Sequence, residues 1–280
     1  ERLKVRFDAV GFVLSGFSLA GFMYGVEILS KDGVSYFYSL LIIGFSLLLL
    51  WFNVRYSKHI SHPLIDYSVM KINSYKVTIL TGSVSRMIIG VFPYLVPLMF
   101  QEGFGLNPFE SGLLFLSTMV GNLSMKSLTV WIMHRFRFRT ILIVNGCFSA
   151  LFTFFTALLM PTTPVYVIVL VLFTAGLFRS LQFSSLTTLA FTDTPASQTT
   201  AANTLYSTIQ QMSTGMGIAM GAVVLRFSNI INHGIAGHYT IPDFRLAFIF
   251  VTVLGFVHLY GYTKLSKDAG SVVMLKKKMF

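Results

Sequence analysis

The sequence predicts an all-α, polytopic integral membrane protein with eight transmembrane helices, and three observations predict it. Eight apolar stretches, at 8–29, 34–54, 76–100, 109–131, 140–160, 164–190, 203–227 and 244–263, fill almost all of the 280 residues. Each is long enough to cross a bilayer, which takes about 20 apolar residues at about 1.5 Å apiece. Charged residues make up only 11% of the chain, whereas a soluble domain carries about a quarter. Finally, the basic residues gather on alternate connections, as they do in a chain threaded back and forth through a membrane.

In chain order, a charged segment, Glu1 to Asp8, leads into the first span. It has no initiator Met and no basic start with a small-residue cleavage site, so it does not read as a signal peptide. The connection 53–75 is the longest on its side of the membrane and mixes polar with apolar residues around Tyr56 and Pro63. We expect a short amphipathic segment there, lying along the membrane surface. It divides the chain into a helix pair with its connection, 1–62, and a six-helix bundle with a basic tail, 63–280. Pro93 and Pro97 each remove a backbone donor from the third span and predict a kink. The connections 101–108, 134–139, 161–164 and 192–202 are short, which predicts that consecutive helices are antiparallel neighbours. Gly215, Gly217 and Gly221 give the seventh span a small-residue face for close helix packing. The longer stretch 228–243 reads as an exposed loop on the far side.

If the first span starts in the cytoplasm, fifteen basic residues fall on cytoplasmic segments and three, Lys31, Arg226 and Arg245, on the other side. That asymmetry places both termini in the cytoplasm. The net charge of +11 thus sets topology and does not point to nucleic acid. A single cysteine, Cys147, excludes an internal disulfide and a thiolate metal site.

The last three of the 21 basic residues lie inside spans: Arg86, Lys126 and Arg179. A cation at mid-membrane costs about 2.5–3.5 kcal/mol on insertion scales, so such residues face protein or a wet cavity. Arg86 shares a helix face with Ser83 and Gly90, Lys126 with Asn122, and Arg179 with Gln182. Gln210 pairs with Thr214, and Ser207 with Gln211, giving the seventh span two polar stripes. Converging stripes of this kind are what a water-filled cavity requires, and Tyr94 beside Pro93 could stack on an aromatic ligand. Each residue also has a plainer reading. Lys126 can snorkel toward the surface, and Arg86 can be neutralised by carbonyls or by an acid from elsewhere. Gln210 and Gln211 can simply link helices, and His258, which could titrate near neutral pH as histidines do, can instead face lipid or a neighbour. No Asp or Glu lies deep in any span. The cations therefore either attract an anionic or zwitterionic ligand or pair with acids outside this chain.

No catalytic residue, cofactor or metal site is assigned. His59 and His62 lack a third ligand, and His233 and His238 lie in the far-side loop without an acidic cluster. No nucleophile elbow or phosphate loop is present.

Three stretches together carry a family resemblance: Pro97 to Gln101 with Gly105, Asn107, Pro108 and Ser111 to Leu113; His134 to Arg139; and Asp193 to Pro195 with Asn203, Gln210, Gln211, Gly215 and Gly217. The chain resembles the fourteen-helix drug:proton antiporter branch of the major facilitator superfamily, along essentially its whole length. The resemblance implies helices seven to fourteen, the first two being the central pair of that branch and the rest its C-terminal bundle. The cations then fall on helices nine, ten and twelve. Within the cytoplasmic Asp-Arg-x-Gly-x-Arg signature, Arg135 and Arg139 match, while His134 and Arg137 replace its Asp and Gly. In the family this loop gates the inward-closed state; here the cluster equally serves positive-inside topology.

The function implied is proton-coupled efflux of drugs or small amphipathic molecules by alternating access in the bacterial-type inner membrane. Its partners would be a small-molecule substrate, protons, the lipid bilayer and an N-terminal six-helix half. The chain is thus expected to be a fragment of a longer transporter. The alternatives are a truncated or structural membrane protein, or an integral membrane enzyme.

Overall fold

A computed structural model describes residues 8–29, 36–60, 67–233 and 238–271. Arg2, Lys4, Arg6, Lys31, His62, Lys276, Lys277 and Lys278 lie outside the described residues, as do parts of the connections at 53–75 and 228–243. The described elements are all helical. They comprise α1 (Ala9–Leu29), α2 (Tyr36–Ser57), a 3-10 turn (Tyr67–Lys71), α3 (Asn73–Leu98), α4 (Pro108–Arg135), α5 (Phe138–Ala157), α6 (Val165–Thr192), α7 (Thr199–His233), α8 (Ile241–Val257) and the short α9 (Leu259–Tyr262). Among the described residues, eight helical segments are long and apolar enough to span a membrane, and large apolar side chains such as Phe17, Leu123 and Tyr166 are exposed on the outside. A soluble fold would bury such residues; a bilayer solvates them.

Local chemistry fixes the helix ends. Asn107 caps α4 by accepting from the Glu110 amide at 2.9 Å, while the Glu110 carboxylate accepts from the Asn107 amide at 3.2 Å. At the start of α8 the Asp243 carboxylate accepts from the Thr240 amide at 2.8 Å and from its hydroxyl at 2.9 Å. Both satisfy amides that the first helical turn leaves without partners. The backbone of α3 runs helically through Pro93 and Pro97 into a π-helical turn, Met99–Gly103. Gly105, at φ 71°, then reverses the chain into α4. The Pro97 carbonyl accepts a 2.9 Å hydrogen bond from Ser111 Oγ, which ties the two helices at this corner.

Two expectations need correction. Consecutive helices are not always the closest neighbours: α3 packs chiefly on α7, and α4 on α6, whereas α3 and α4 touch little. Small residues decide this. A Cβ at Gly121 of α4 would collide with the Phe173 carbonyl of α6, and one at Gly176 of α6 with the Thr118 carbonyl of α4. Gly90 of α3 and Gly217 of α7 are placed equally tightly against Thr214 and Met87. Backbones this close exclude any larger residue, so the glycines select the partners. The second correction concerns 228–243, where α7 continues to His233. Ser228 and Asn229 are buried, and Asn229 donates to Asp243 Oδ2 at 2.9 Å. A buried polar pair of this kind holds the extra turns in helix against α8.

Among the described residues, three apolar clusters fill the bundle. The largest runs through Phe92, Leu95, Phe100, Leu172, Phe244 and Phe248, the second through Phe138, Leu142, Leu186 and Tyr262. The third seats Val69 of the 3-10 turn and Tyr75 against Ala202 and Leu205. The α1–α2 pair is joined by Asn53, whose Nδ2 donates to the Gly11 carbonyl at 3.1 Å and to Ser15 Oγ at 2.9 Å. It rests on the bundle through α1 and α7, with Met23 packed over Gly215.

Candidate functional site

A cavity of about 530 Å³ opens between α3, α4 and α6. Its apolar walls come from Phe92 and Pro93 on α3, Phe115 on α4 and Phe183 on α6. Its polar lining comes from Asn122 and Lys126 on α4 and from Arg179, Ser180, Ser184, Thr187 and Thr188 on α6. Helical periodicity places these α6 residues on one face, since positions three and four apart neighbour each other. The close α4–α6 crossing at Gly121 and Gly176 fixes the cavity's back wall.

Arg179 stands at the midpoint of α6 and is 5% exposed. Its guanidinium packs against the face of Phe92, a cation–π contact that offsets part of the cost of burying the charge. Nη2 reaches Thr153 Oγ1 on α5 at 3.4 Å, while Nε and Nη1 have no hydrogen-bond partner among the described residues. Lys126, on the facing helix, is exposed at the cavity edge. Among the described residues, no Asp or Glu lines the cavity. The cavity therefore offers positive charge, hydroxyl and amide groups and aromatic surface, and no formal negative charge.

The other expected cavity residues fall elsewhere. Arg86, 1% exposed, lies behind the wall on α3, where it donates to the Thr78 carbonyl at 3.3 Å and sits 4.5 Å from the Tyr206 ring centre. Tyr206 in turn shares a 2.8 Å hydrogen bond with Thr187 of the cavity lining, which links Arg86 to the cavity through these two side chains. Gln182 is buried against α5, its Oε1 accepting from Asn145 Nδ2 at 2.9 Å and its Nε2 donating to the Leu142 carbonyl at 3.4 Å. Tyr94 lines a separate cavity of about 330 Å³ between α1, α3 and α7, with Met23, Glu27 and Gly215. Gln210 is half-buried and Gln211 exposed along α7, and neither lines the α3–α4–α6 cavity. Gly221 packs on Val91, Tyr94 and Leu95 of α3.

His134 ends α4, and its Nδ1 is buried without a partner among the described residues. Arg135 is exposed; Arg137, Arg139 and Lys267 line a shallow basic pocket at the same end of the bundle. Among the described residues, His238 lies 3.8 Å from Glu102, and no group of three metal-ligating side chains is formed.

Two features escaped the sequence reading. Ser180, Ser184, Thr187 and Thr188 recur at helical spacing, yet single hydroxyls in apolar helices are inconspicuous because a bond to the preceding turn satisfies them as readily as one across helices. Ser180 makes the bond across helices, donating to the Asn122 carbonyl of α4 at 2.8 Å. Thr187 bonds its own preceding turn at 3.0 Å. The second is a hydrogen-bonded chain around His258, whose Nε2 lies 2.7 Å from Ser85 Oγ, itself 2.8 Å from the Tyr262 hydroxyl. His258 thus faces α3, a long-range contact that periodicity alone cannot supply.

A family profile described as Major Facilitator Superfamily matches residues 7–218. Among similar proteins, one from Pectobacterium carotovorum carrying the name multidrug resistance protein MdtD is 28% identical over 79% of this chain and 47% of its own length. Proteins of that name from Serratia proteamaculans and Escherichia coli O6:H1 are 27% and 26% identical over 79% of the chain, covering 46% and 47% of their lengths. The chain thus spans about half the length of the curated relatives it matches. With eight helices among the described residues long and apolar enough to cross a membrane, and most of its residues under one profile, the chain belongs to the Major Facilitator Superfamily.

Proposed function

We propose that this chain provides one wall of a transport path for small amphipathic molecules, in a proton-coupled exporter working by alternating access. The observation that carries the reading is the polar cavity among α3, α4 and α6, with a buried arginine at the centre of helices that otherwise present apolar surface to lipid. Intramembrane charge is costly and marks a path more often than a packing device. Superfamily membership supports the same reading, as does the multidrug-resistance name of the similar proteins. In this proposal the cavity is closed by a second six-helix half of the same protein, and the two rock about a midplane site. The bacterial inner membrane is its location, with the ends of the segment in the cytoplasm. Arg135 and Arg139 form part of its cytoplasmic gate.

Everted membrane vesicles energised to an acid interior and reporting through a pH-sensitive dye test this. Adding a panel of amphipathic compounds should dissipate the gradient for at least one of them, and only when the protein is present. A verified, inserted protein that leaves the gradient intact for every compound contradicts proton-coupled export.

A further inference from the structure

The charge inventory of the cavity is one-sided. Among the described residues its lining carries Lys126 and Arg179 and no carboxylate. The described acids, Asp8, Glu27, Glu102, Glu110, Asp193, Asp243 and Asp268, lie outside the cavity lining. Arg179 is held almost completely out of water. A guanidinium cannot shed its charge in a protein, so a buried one needs a counter-group. Phe92 and a long contact to Thr153 use one face and one nitrogen. Its other two nitrogens, Nε and Nη1, have no hydrogen-bond partner among the described residues. A planar fork of this kind matches a carboxylate, phosphate or sulfonate. Around it, Phe92, Phe115 and Phe183 supply flat apolar surface, while Asn122 and Ser184 supply donors. A volume of about 530 Å³ accommodates a small organic molecule.

We propose that the α3–α4–α6 cavity binds amphipathic organic anions, with Arg179 taking the acidic group, Lys126 drawing it in from the cavity edge and the phenylalanines holding an aromatic or apolar body. The inference rests on the transporter reading but concerns equilibrium binding, so it is tested without a gradient. Electrostatics favour this ligand class over a cation, which would enter a positively charged, low-dielectric site unpaired.

The test is calorimetric titration of the protein in lipid nanodiscs with three probes sharing one ring system: 2-naphthoate, 2-naphthylmethanol and 2-naphthylmethylammonium. Naphthoate is expected to bind most tightly. Arg179→Gln should weaken it about ten- to a hundredfold, the span of a charge-assisted hydrogen bond, while Arg179→Lys restores part of the loss. Lys126→Gln, at an exposed position, should give a smaller loss that fades with added salt. If Arg179→Gln does not fold, the probe ranking together with Arg179→Lys and Lys126→Gln decides the matter. Equal or tighter binding of the ammonium probe overturns the proposal and indicates that an acid from another segment faces the cavity. Unchanged naphthoate affinity in the folded Arg179→Gln variant overturns it as well. Anion binding combined with failed proton antiport would leave this inference standing and sink only the export reading.

Discussion

Arg179 and Gln182 are three residues apart on α6 and share a helical face by spacing, yet they do different work in the fold. The boundary between the cavity and the α5 interface falls between them. Arg179 lines the cavity, whereas Gln182 interlocks with Asn145 at 2.9 Å. Spacing places residues within about 60° of each other on a helix but does not say where the neighbouring helix lies. For this reason the cation was legible as a cavity residue and the amide was not distinguishable from it. We predict that Gln182→Leu lowers stability by about 1–3 kcal/mol, because it removes a partner of a buried amide. Naphthoate affinity should stay at the wild-type value. Thermal unfolding in detergent and the titration described above read the two effects separately. A stable Gln182→Leu protein that has lost ligand binding would place Gln182 in the site instead.

At the level of elements, the eight spans were legible because the bilayer imposes length and apolarity on each helix independently of its neighbours. Their pairing was not. Gly217 could be read as a packing residue of α7, but its partner on α3, opposite Met87, is set by the bundle as a whole. The extension of α7 to His233 was hidden for a related reason: Asn229 and Asp243 look like loop residues until they are paired across helices. Gly217→Ala is expected to destabilise the protein by about 1–3 kcal/mol, since the added methyl meets the Met87 carbonyl and must force two backbones apart. Gly112 of α4 has open space where a Cβ would sit. Gly112→Ala should be neutral or stabilising by about 0.5–1 kcal/mol, the usual helical preference for Ala. Denaturation in mixed micelles compares the two, and equal stabilities would contradict the crossing assigned to α3 and α7.

In the whole molecule, the α3–α4–α6 cavity forms a wet path inside the membrane if it serves transport. Its charge, hydroxyl stripe and volume require water or ligand there, while the outer faces of the helices require lipid. The lone cysteine makes this directly measurable. In a Cys147→Ser background, single cysteines are placed at Ser184, on the cavity wall, and at Val253, which is exposed on α8. A membrane-impermeant maleimide reacts with the thiolate, and a thiolate forms only where water reaches the sulfur. In intact membranes, cysteine at 184 should be labelled while cysteine at 253 is not, and naphthoate should slow the labelling at 184. If cysteine at 184 reacts no faster than cysteine at 253, the cavity is not a water-accessible path, and the transport reading built on it fails.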